Sequence, residues 1–206
     1  MKVLNLYAGI GGNRKLWQDV EVTAVEINPQ IAEIYSEYFP NDVMIVGDAH
    51  EYLKKHYSEF DFIWSSPPCQ THSLAMLWRR KTLENVRYPD FKLYQEIIFL
   101  QYFAGSASWC VENVVPYYEP LIAPSSVIGR HAIWSNFYLN PRVNTTEGKG
   151  IFDIVGGQIY GFDLRNRKVN ERKDKILRSC VNPEVGKYIF DRMLRSHEEN
   201  QLGIFS

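Results

Sequence analysis

The chain has 206 residues, of which 45% are hydrophobic and 23% are charged, and its formal net charge is −1 at pH 7. This length fits one domain, or one domain with a small appendage, and the composition is ordinary for a soluble globular protein. No run of about 18 apolar residues occurs, so no segment is expected to span a membrane. The near-zero charge does not indicate nucleic-acid binding, which would have to depend on local basic clusters.

The N-terminus and the cysteines predict the compartment. Residues 1–12, "MKVLNLYAGIGG", combine one lysine with a short apolar stretch and then glycines. This pattern indicates a first strand and turn rather than a signal peptide. The 3 cysteines lack close spacing, so neither a disulfide framework nor a bound metal is expected. We therefore expect a cytoplasmic protein that is not secreted.

The first half of the chain alternates strand and helix patterns. The predicted strands are 2–7, 22–28, 42–49, 60–66 and 108–114, and helices are predicted to follow the glycine turn within 8–20 and over 29–39, 50–57 and 94–106. This order predicts an α/β fold with a mostly parallel, doubly wound sheet. Ligands of such sheets bind beyond the carboxyl ends of the strands.

The second half has a less regular pattern. Residues 125–139 predict one or two strands, 140–172 predict loop and short structure, and 182–197 predict a last helix.

The first three strand ends carry residues suited to an adenosine-bearing ligand. Gly9, Gly11 and Gly12 allow a tight turn and a close backbone approach, although a glycine-rich turn alone is a weak signal. Glu26 is placed either to bind a ribose diol or to lie at the surface. Asp48 is placed either to accept a hydrogen bond from an adenine amino group or to cap the following helix.

The fourth and fifth strand ends carry groups suited to catalysis. Cys69 follows two prolines at a strand-to-helix turn, where a helix N-terminus or a cation would lower the pKa of its thiol. Glu112 lies at the end of a buried strand, a costly position for a carboxylate without a partner or a role. Asn113 could fix the loop beside it. Cys110, within an apolar run, is interpreted as a core residue.

Two basic clusters are visible. Residues 165–178, "RNRKVNERKDKILR", and residues 78–81, "WRRK", concentrate positive charge. Each cluster is equally well interpreted as a solvated face or as a nucleic-acid contact.

These motifs, taken in order, resemble the DNA cytosine-5 methyltransferases. "LNLYAGIGG", "AVEIN" and "VGDAHEY" are similar to the first three motifs of that family, and "SSPPCQTHS" and "VENV" to its catalytic motifs. "IGRHAIW" resembles the arginine motif beside the target base, and "RSCVNPEVGKYI" the C-terminal motif that completes the cofactor site. The resemblance implies a Rossmann-like S-adenosylmethionine-dependent methyltransferase fold.

The resemblance also implies roles for the catalytic candidates. Cys69 would attack carbon 6 of cytosine, and a protonated Glu112, with a raised pKa, would neutralise ring nitrogen 3. Asn113 would hold the loop, and Arg130 would contact the base or brace the loop. S-adenosyl-L-methionine would supply the methyl group to carbon 5 of a base flipped out of double-stranded DNA.

The remaining site residues follow from the same family pattern. The implied cofactor contacts are Tyr7, Gly9, Ile10, Gly11, Gly12, Glu26, Ile27, Asp48, Ala49 and Pro68. The implied nucleic-acid contacts are Gln70, Ser73, Arg79, Arg80, Lys81, Arg165, Arg167 and Lys168. Residues 71–81 would form a mobile loop beside the DNA.

The chain departs from the family pattern in its target-recognition region and in single residues. We divide it into a catalytic domain over 1–139, a reduced target-recognition region over 140–172 and a returning C-terminal segment over 173–206. The short region predicts a short target site or a partner protein for recognition. Ala132 replaces the second arginine expected after Arg130, with His131 between them. Ser179 replaces an asparagine, and Pro67 replaces a common aromatic residue.

Three other functions fit the motifs less well. A tRNA cytosine-5 methyltransferase shares them but usually has a further Cys-Phe-Thr stretch, which this sequence lacks. A catalytically silent binding module of the same fold would not need Cys69 and Glu112. Methylation of an exocyclic amine matches only the prolines of "SSPPCQ". We therefore expect a monomeric DNA methyltransferase from a phage, a mobile element or a restriction-modification system.

Overall fold

The computed structural model of the protein describes residues 1–79, 87–143 and 157–201, with the backbone alone for 78, 79 and 198–201. The strands are β1 (Lys2–Leu6), β2 (Glu21–Glu26), β3 (Val43–Val46), β4 (Phe62–Ser65), β5 (Ser108–Val114), β6 (Ser126–Ile128), β7 (His131–Ser135), β8 (Arg142–Val143), β9 (Gln158–Ile159) and β10 (Phe162–Asp163). The helices are α1 (Pro29–Tyr38), α2 (Ala49–His56), α3 (Ala75–Arg79), α4 (Lys92–Phe103), α5 (Lys173–Arg178) and α6 (Pro183–Gln201), with short 3-10 helices at Asn13–Leu16 and Tyr57–Glu59.

Eight strands form one sheet in the order β3-β2-β1-β4-β5-β7-β6-β8. The pairs from β3 through β5 are parallel, whereas β7 is antiparallel to both β5 and β6. The prediction of an α/β fold with a mostly parallel, doubly wound sheet is therefore confirmed. Because the chain crosses from the edge strand β3 back to β4 beside β1, the ends of β1 and β4 lie at a crossover point of the kind where ligands bind in such folds.

Alternate side chains of the central strands enter two different cores. Val3 and Phe62 pack in one core with residues of α6, such as Ile189. Leu4 and Ile63 pack in the other core with residues of α2 and α4. The period-2 alternation of a strand buried on both faces explains why β1 and β4 have nearly continuous apolar sequences.

The C-terminal segment packs closely on the loop that follows β1. A Cβ at Gly12 would lie 2.3 Å from the Val181 carbonyl oxygen and 2.4 Å from the Cys180 sulfur. A Cβ at Gly186 would lie 2.3 Å from the carbonyl oxygen of Asn13. Two glycines, one near each end of the chain, thus allow α6 to contact the turn after the first strand.

The prediction of a helix after the glycine turn is wrong, because only a short 3-10 helix forms there, at Asn13–Leu16. Trp17 ends it in an extended conformation. The Trp17 ring stacks on Phe190 at 5.3 Å between centroids, and its indole nitrogen donates to the Gly186 carbonyl at 3.2 Å. Burial of this side chain against α6 therefore overrides local helix propensity.

Two further helices were not predicted. α3 forms inside the stretch interpreted as a loop over 71–81, and α5 forms inside the basic stretch 165–178. Both helices are short, and isolated short helices have little intrinsic stability, so tertiary contacts decide whether they form. Leu177 of α5 is fully buried, which supplies such a contact.

Part of the predicted target-recognition region packs on the catalytic domain. β9 and β10 form a hairpin whose buried Phe162 joins a third apolar cluster with Ile34 of α1. The Asp163 backbone N–H donates to the Tyr38 hydroxyl at 2.9 Å. Residues 144–156 lie outside the described part of the chain, so the division at 140 and 172 stays a prediction.

The helices of the described ranges include none that is both long and apolar enough to cross a membrane.

Replacing Gly12 by alanine tests the close packing of the chain ends. Gly12 has φ −58° and ψ −48°, which alanine adopts without strain, so the effect is one of space alone. We expect a loss of about 1–3 kcal/mol in the free energy of unfolding, typical of overpacking. Gly47→Ala is the matched control, because a Cβ there meets no atom within 4 Å. Equal denaturation midpoints for the two variants would contradict the packing described here.

Candidate active site

The candidate residues converge at one edge of the sheet. β1 to β5 run parallel, so their carboxyl ends, and the loops that follow them, lie along the same edge. β6 has the same direction, since it and β5 are both antiparallel to β7. The turn at Gly129 and Arg130, which connects β6 to β7, therefore also lies at this edge.

The glycine turn after β1 is held by Glu26. The backbone N–H of Gly9 donates to one carboxylate oxygen of Glu26 at 3.0 Å, and the N–H of Asn28 donates to the other at 2.9 Å. Burial raises the pKa of Glu26, while these backbone donors act against the rise. A carboxylate oxygen has more than one lone pair, so both oxygens can still accept a hydrogen bond from a ligand hydroxyl.

The three glycines of the turn differ in their surroundings. A Cβ at Gly9, where φ is +54°, would meet nothing within 4 Å. A Cβ at Gly11 would lie 2.2 Å from the Phe39 ring, and Gly12 faces the C-terminal segment. Gly9 therefore borders open space, whereas Gly11 and Gly12 serve the packing of the loop.

The other candidate cofactor contacts divide into exposed and buried side chains. Ile27 is 67% exposed beside Glu26, an unusual position for a large apolar side chain. Pro68 is exposed as well, whereas the side chains of Ile10 and Ala49 are buried in the core. Only the backbone of Ile10 and Ala49 could therefore contact a ligand.

Asp48 has the capping role that the sequence left open. Its carboxylate accepts a hydrogen bond from the Glu51 N–H at 3.1 Å at the start of α2. This backbone donor, and then Lys92 at 3.9 Å, lower the pKa of Asp48. The side chain is 41% exposed, so capping does not prevent it from accepting a hydrogen bond from a ligand.

A buried carboxylate beneath the glycine turn escaped the sequence analysis. Glu96 of α4 is fully buried and accepts hydrogen bonds from Tyr7 at 2.5 Å, from Ser65 at 2.5 Å and from His50 at 2.9 Å. Burial and the Glu96 charge raise the pKa of the Tyr7 hydroxyl far above its usual range. The signal was present, since Glu96 is the one acidic residue in the apolar stretch 94–106.

This hydrogen-bonded group connects three strand ends. Tyr7 follows β1, His50 lies in α2 directly after the β3 loop, and Ser65 is the last residue of β4. Glu96 therefore ties the candidate cofactor loops to the strand that leads into the candidate nucleophile.

The turn around Cys69 is fixed from two directions. The Asn113 side-chain amide donates to the Pro67 carbonyl at 2.9 Å, which is the loop-holding contact expected of Asn113. The Cys69 carbonyl accepts from the backbone N–H groups of His72 and Ser73, both at 3.1 Å. The prolines and these contacts leave the loop few alternative conformations.

The expected lowering of the pKa of Cys69 is wrong for this state of the protein. Burial, followed by the charge of Glu112, raises the pKa of the thiol, and Arg130 opposes the rise only in part. Cys69 forms no disulfide. In these surroundings the neutral thiol is therefore favoured over the thiolate.

Glu112 forms a buried pair with His131, a residue noted only as a departure from the family pattern. His131 of β7 is directly opposite Val114, so it lies diagonally across from Glu112 on the same face of the sheet. His131 Nδ1 lies 2.5 Å from Glu112 Oε1. Burial is the largest single influence and favours protonation of Glu112, but His131, Ser66 and Arg130 together outweigh it and lower the pKa, contrary to the raised pKa expected for catalysis.

Arg130 extends this pair to the C-terminal segment. Its Nε donates to His131 Nε2 at 3.3 Å, and its Nη2 donates to the Arg178 carbonyl at 3.0 Å. The guanidinium is thus held between the β6–β7 turn and the last residue of α5.

The candidate nucleic-acid contacts are only partly available. Arg165 pairs with Asp163, and Arg167 pairs with Glu37 of α1, whereas Lys168 makes no ion pair within the described ranges. Gln70 is exposed, and the Ser73 hydroxyl accepts from the Ala75 N–H at 3.3 Å. The side chain of Arg79 and all of Arg80 and Lys81 lie outside the described residues.

Comparison with known protein families gives a match in the N-terminal half of the chain. Residues 1–98 match the family model described as C-5 cytosine-specific DNA methylase. No curated protein matches the sequence.

Several solved structures are similar in fold. DNMT2 of Spodoptera frugiperda, solved as a mutant, is 18% identical at a TM-score of 0.46, over 71% of this chain and 55% of that one. The Entamoeba histolytica methyltransferase EhMeth is 19% identical at 0.36, over 55% and 38%. A DNA modification methyltransferase assigned to an E. coli prophage is 19% identical at 0.39, over 58% and 33%. This chain spans 33% to 55% of the length of these structures.

The bond between His50 and Glu96 predicts a pH dependence of stability. That hydrogen bond raises the pKa of His50 in the folded protein above its unfolded value of about 6.5. The stabilisation is therefore complete below about pH 6.5 and is lost as pH rises through the higher folded pKa. We expect His50→Gln to flatten the fall in unfolding free energy that begins near about pH 6.5 and continues through the raised folded pKa of His50. The control is His56→Gln, on the same helix. If the unfolding free energy of His50→Gln depended on pH as in the wild type, the bond to Glu96 would not be what keeps His50 protonated.

Proposed function

We propose that the protein methylates carbon 5 of cytosine in double-stranded DNA, since residues 1–98 match the family model described as C-5 cytosine-specific DNA methylase. The observation that carries the proposal is the arrangement of Cys69, Glu112 and Arg130 at one edge of the sheet. The thiol and the carboxyl group are close enough for the charge of Glu112 to raise the pKa of Cys69. A nucleophile and an acid placed together can act on two atoms of one ring.

Cys69 and Glu112 act on opposite positions of the cytosine ring. The Cys69 thiolate forms a bond to carbon 6, and the electron pair of the 5,6 double bond moves toward carbon 5. Ring nitrogen 3 takes a proton from the Glu112 carboxyl group, which neutralises the charge that develops on the ring. Carbon 5 is then nucleophilic enough to accept a methyl group.

The edge of the sheet beside these groups fits S-adenosylmethionine. Gly9 borders open space, the Glu26 oxygens can still accept hydrogen bonds, and Asp48 and Ile27 are exposed in the next loops. Glu26 would hold the ribose hydroxyls, Asp48 the adenine amino group and Ile27 a face of the adenine ring. When bound, S-adenosylmethionine supplies an electrophilic methyl group.

The last steps restore the protein. A base removes the proton at carbon 5, the bond between sulfur and carbon 6 breaks, and the proton on ring nitrogen 3 returns to Glu112. Asn113 keeps the Cys69 loop in place through its bond to the Pro67 carbonyl. Arg130 is exposed at this edge and suits contact with the base or a phosphate.

Because carbon 6 is stacked within a duplex, the target base has to leave the helix. Gln70 and Ser73 flank the nucleophile and would contact the displaced strand, together with the basic residues of the two clusters. We propose a monomer with a short target site, with residues 140–172 serving recognition alone or with a partner protein. The setting in a phage-infected or bacterial cytoplasm is part of the same proposal.

Trapping with 5-fluorocytosine tests the nucleophile and the substrate together. Fluorine at carbon 5 cannot leave as a cation, so the bond between Cys69 and carbon 6 should persist in the presence of S-adenosylmethionine. We expect a denaturant-stable adduct on duplex DNA that peptide mass spectrometry maps to Cys69. Cys69→Ser should give no adduct and no turnover while binding the cofactor with unchanged affinity.

The controls for trapping separate the alternatives. Cys110→Ala, which removes a core thiol, should keep the adduct. Adducts with RNA but not with DNA would replace the proposed substrate. Normal turnover by Cys69→Ser would refute the covalent mechanism, and cofactor binding without an adduct on DNA or RNA would favour a silent module.

The salt dependence of DNA binding tests the basic cluster. Each phosphate contact contributes about 0.9 to the slope of log K against log salt concentration. Arg165 and Arg167 already pair with carboxylates, so Lys168 should account for most of the change. We expect the variant with all three residues changed to glutamine to bind more weakly and with a smaller slope than a Lys54→Gln, Lys55→Gln control on α2. An unchanged slope would return the cluster to a solvated face.

A further inference from the structure

We propose that His131 is a positioning residue that controls the proton of Glu112, and that Arg130 decides when the pair can take up a further proton. This inference rests on the proposed function, in which Glu112 donates to ring nitrogen 3. It assigns a role to His131, which lies between Arg130 and the position where a second arginine is usual in the family pattern. It also explains how one site can supply both a protonated Glu112 and an ionised Cys69.

The pair of His131 and Glu112 is shielded from solvent. The two side chains are 5% and 8% exposed, and their contact is 2.5 Å long. The antiparallel register of β5 and β7 sets this contact, since Val114 lies opposite His131 and Glu112 is the diagonal neighbour. At this distance the two groups titrate as a coupled pair, so their apparent pKa values describe the pair rather than either residue.

Arg130 defines which nitrogen of His131 carries the proton. Guanidinium groups only donate hydrogen bonds, so the Arg130 Nε contact at 3.3 Å requires a lone pair on His131 Nε2. The ring proton therefore sits on Nδ1 and points at Glu112 Oε1. In this state the imidazole is neutral and Glu112 is a carboxylate, which cannot donate a proton to the base.

Movement of Arg130 would change the state of the pair. Arg130 is exposed, and its described contacts include the His131 ring and the Arg178 carbonyl. Once Arg130 turns to a phosphate or to the base, a solvent proton can bond to Nε2. The Nδ1–H bond then breaks as an O–H bond forms on Glu112, so that His131 stays neutral and Glu112 becomes the acid.

Several groups of the described residues surround the pair of His131 and Glu112. Arg130 from the β6–β7 turn and the Ser66 hydroxyl favour the carboxylate form of Glu112. The thiols of Cys69 and Cys110 both face the Glu112 charge, and Lys175 of α5 acts on Cys69. The positive charge of Arg130 therefore opposes the second proton while it remains near the pair.

The same proton would also activate the nucleophile. The negative charge of Glu112 is one of the causes that raise the pKa of Cys69. Protonating Glu112 removes that charge, whose effect on the pKa of Cys69 is larger than the opposing effect of Arg130, so the thiolate becomes easier to form even after Arg130 has moved. One proton transfer thus prepares both groups, and it follows contact of Arg130 with the nucleic acid.

Nitrogen NMR of the His131 imidazole tests, without substrate, whether Arg130 controls the protonation of the pair. The wild-type protein should show a proton on Nδ1 and a lone pair on Nε2 at neutral pH. In Arg130→Ala, at an exposed turn position, the ring and Glu112 should take up the second proton at a higher pH. A proton on Nε2 in the wild type, or identical titrations of the two proteins, would overturn the inference.

The pH profile of methylation tests the role of His131 in turnover. His131→Asn keeps an N–H donor near the position of Nδ1 but cannot carry the second proton. We expect kcat to fall by at least about tenfold and its alkaline limb to shift, with unchanged cofactor affinity. His197→Asn, a remote substitution on α6, should match the wild type.

The two experiments separate failure of the inference from failure of the proposed function. If the wild type methylates DNA and His131→Asn has the same profile, His131 has no such role. If the wild type methylates neither DNA nor RNA, the proposed function fails, and the NMR titration still decides whether Arg130 controls the pair.

Discussion

The parallel direction of β1 to β5 is the constraint on which the candidate site depends. Each strand ends at the same edge, so residues far apart in sequence, such as Glu26 and Cys69, come within one row of loops. The antiparallel β7 adds a different contribution. β7 begins at that edge and runs back beside β5, which places His131, its first residue, next to Glu112. The first residue of a parallel strand would instead lie at the opposite edge.

Electrostatics at this edge favour a resting state rather than a reactive one. The pKa of Cys69 is raised and that of Glu112 is lowered, so both groups are in the form opposite to the one that catalysis requires. A buried thiol held in its neutral form is also a poor target for oxidants and metals. The fold thus positions these groups, and the proposed reaction would require its ligands to activate them.

The sequence predicted the strands and the loops after them, because buried parallel strands have apolar runs of distinctive length. It could not predict the short helix at Asn13–Leu16, since Trp17 packs on a helix about 170 residues away in the chain. The partners of Glu112 and Arg167 also depend on tertiary contacts. His131 stands two register positions from Glu112 only once the β5–β7 pairing is known.

The packing of α6 on the first loop has a consequence for the folding rate. Trp17 and Gly186 are 169 positions apart, so this contact closes a loop that contains most of the chain. The entropy of loop closure grows slowly with length, but it has to be overcome before the contact gives any stabilisation. A late docking of α6 would therefore complete the glycine turn last, and ligand affinity would appear only in the final kinetic phase of folding.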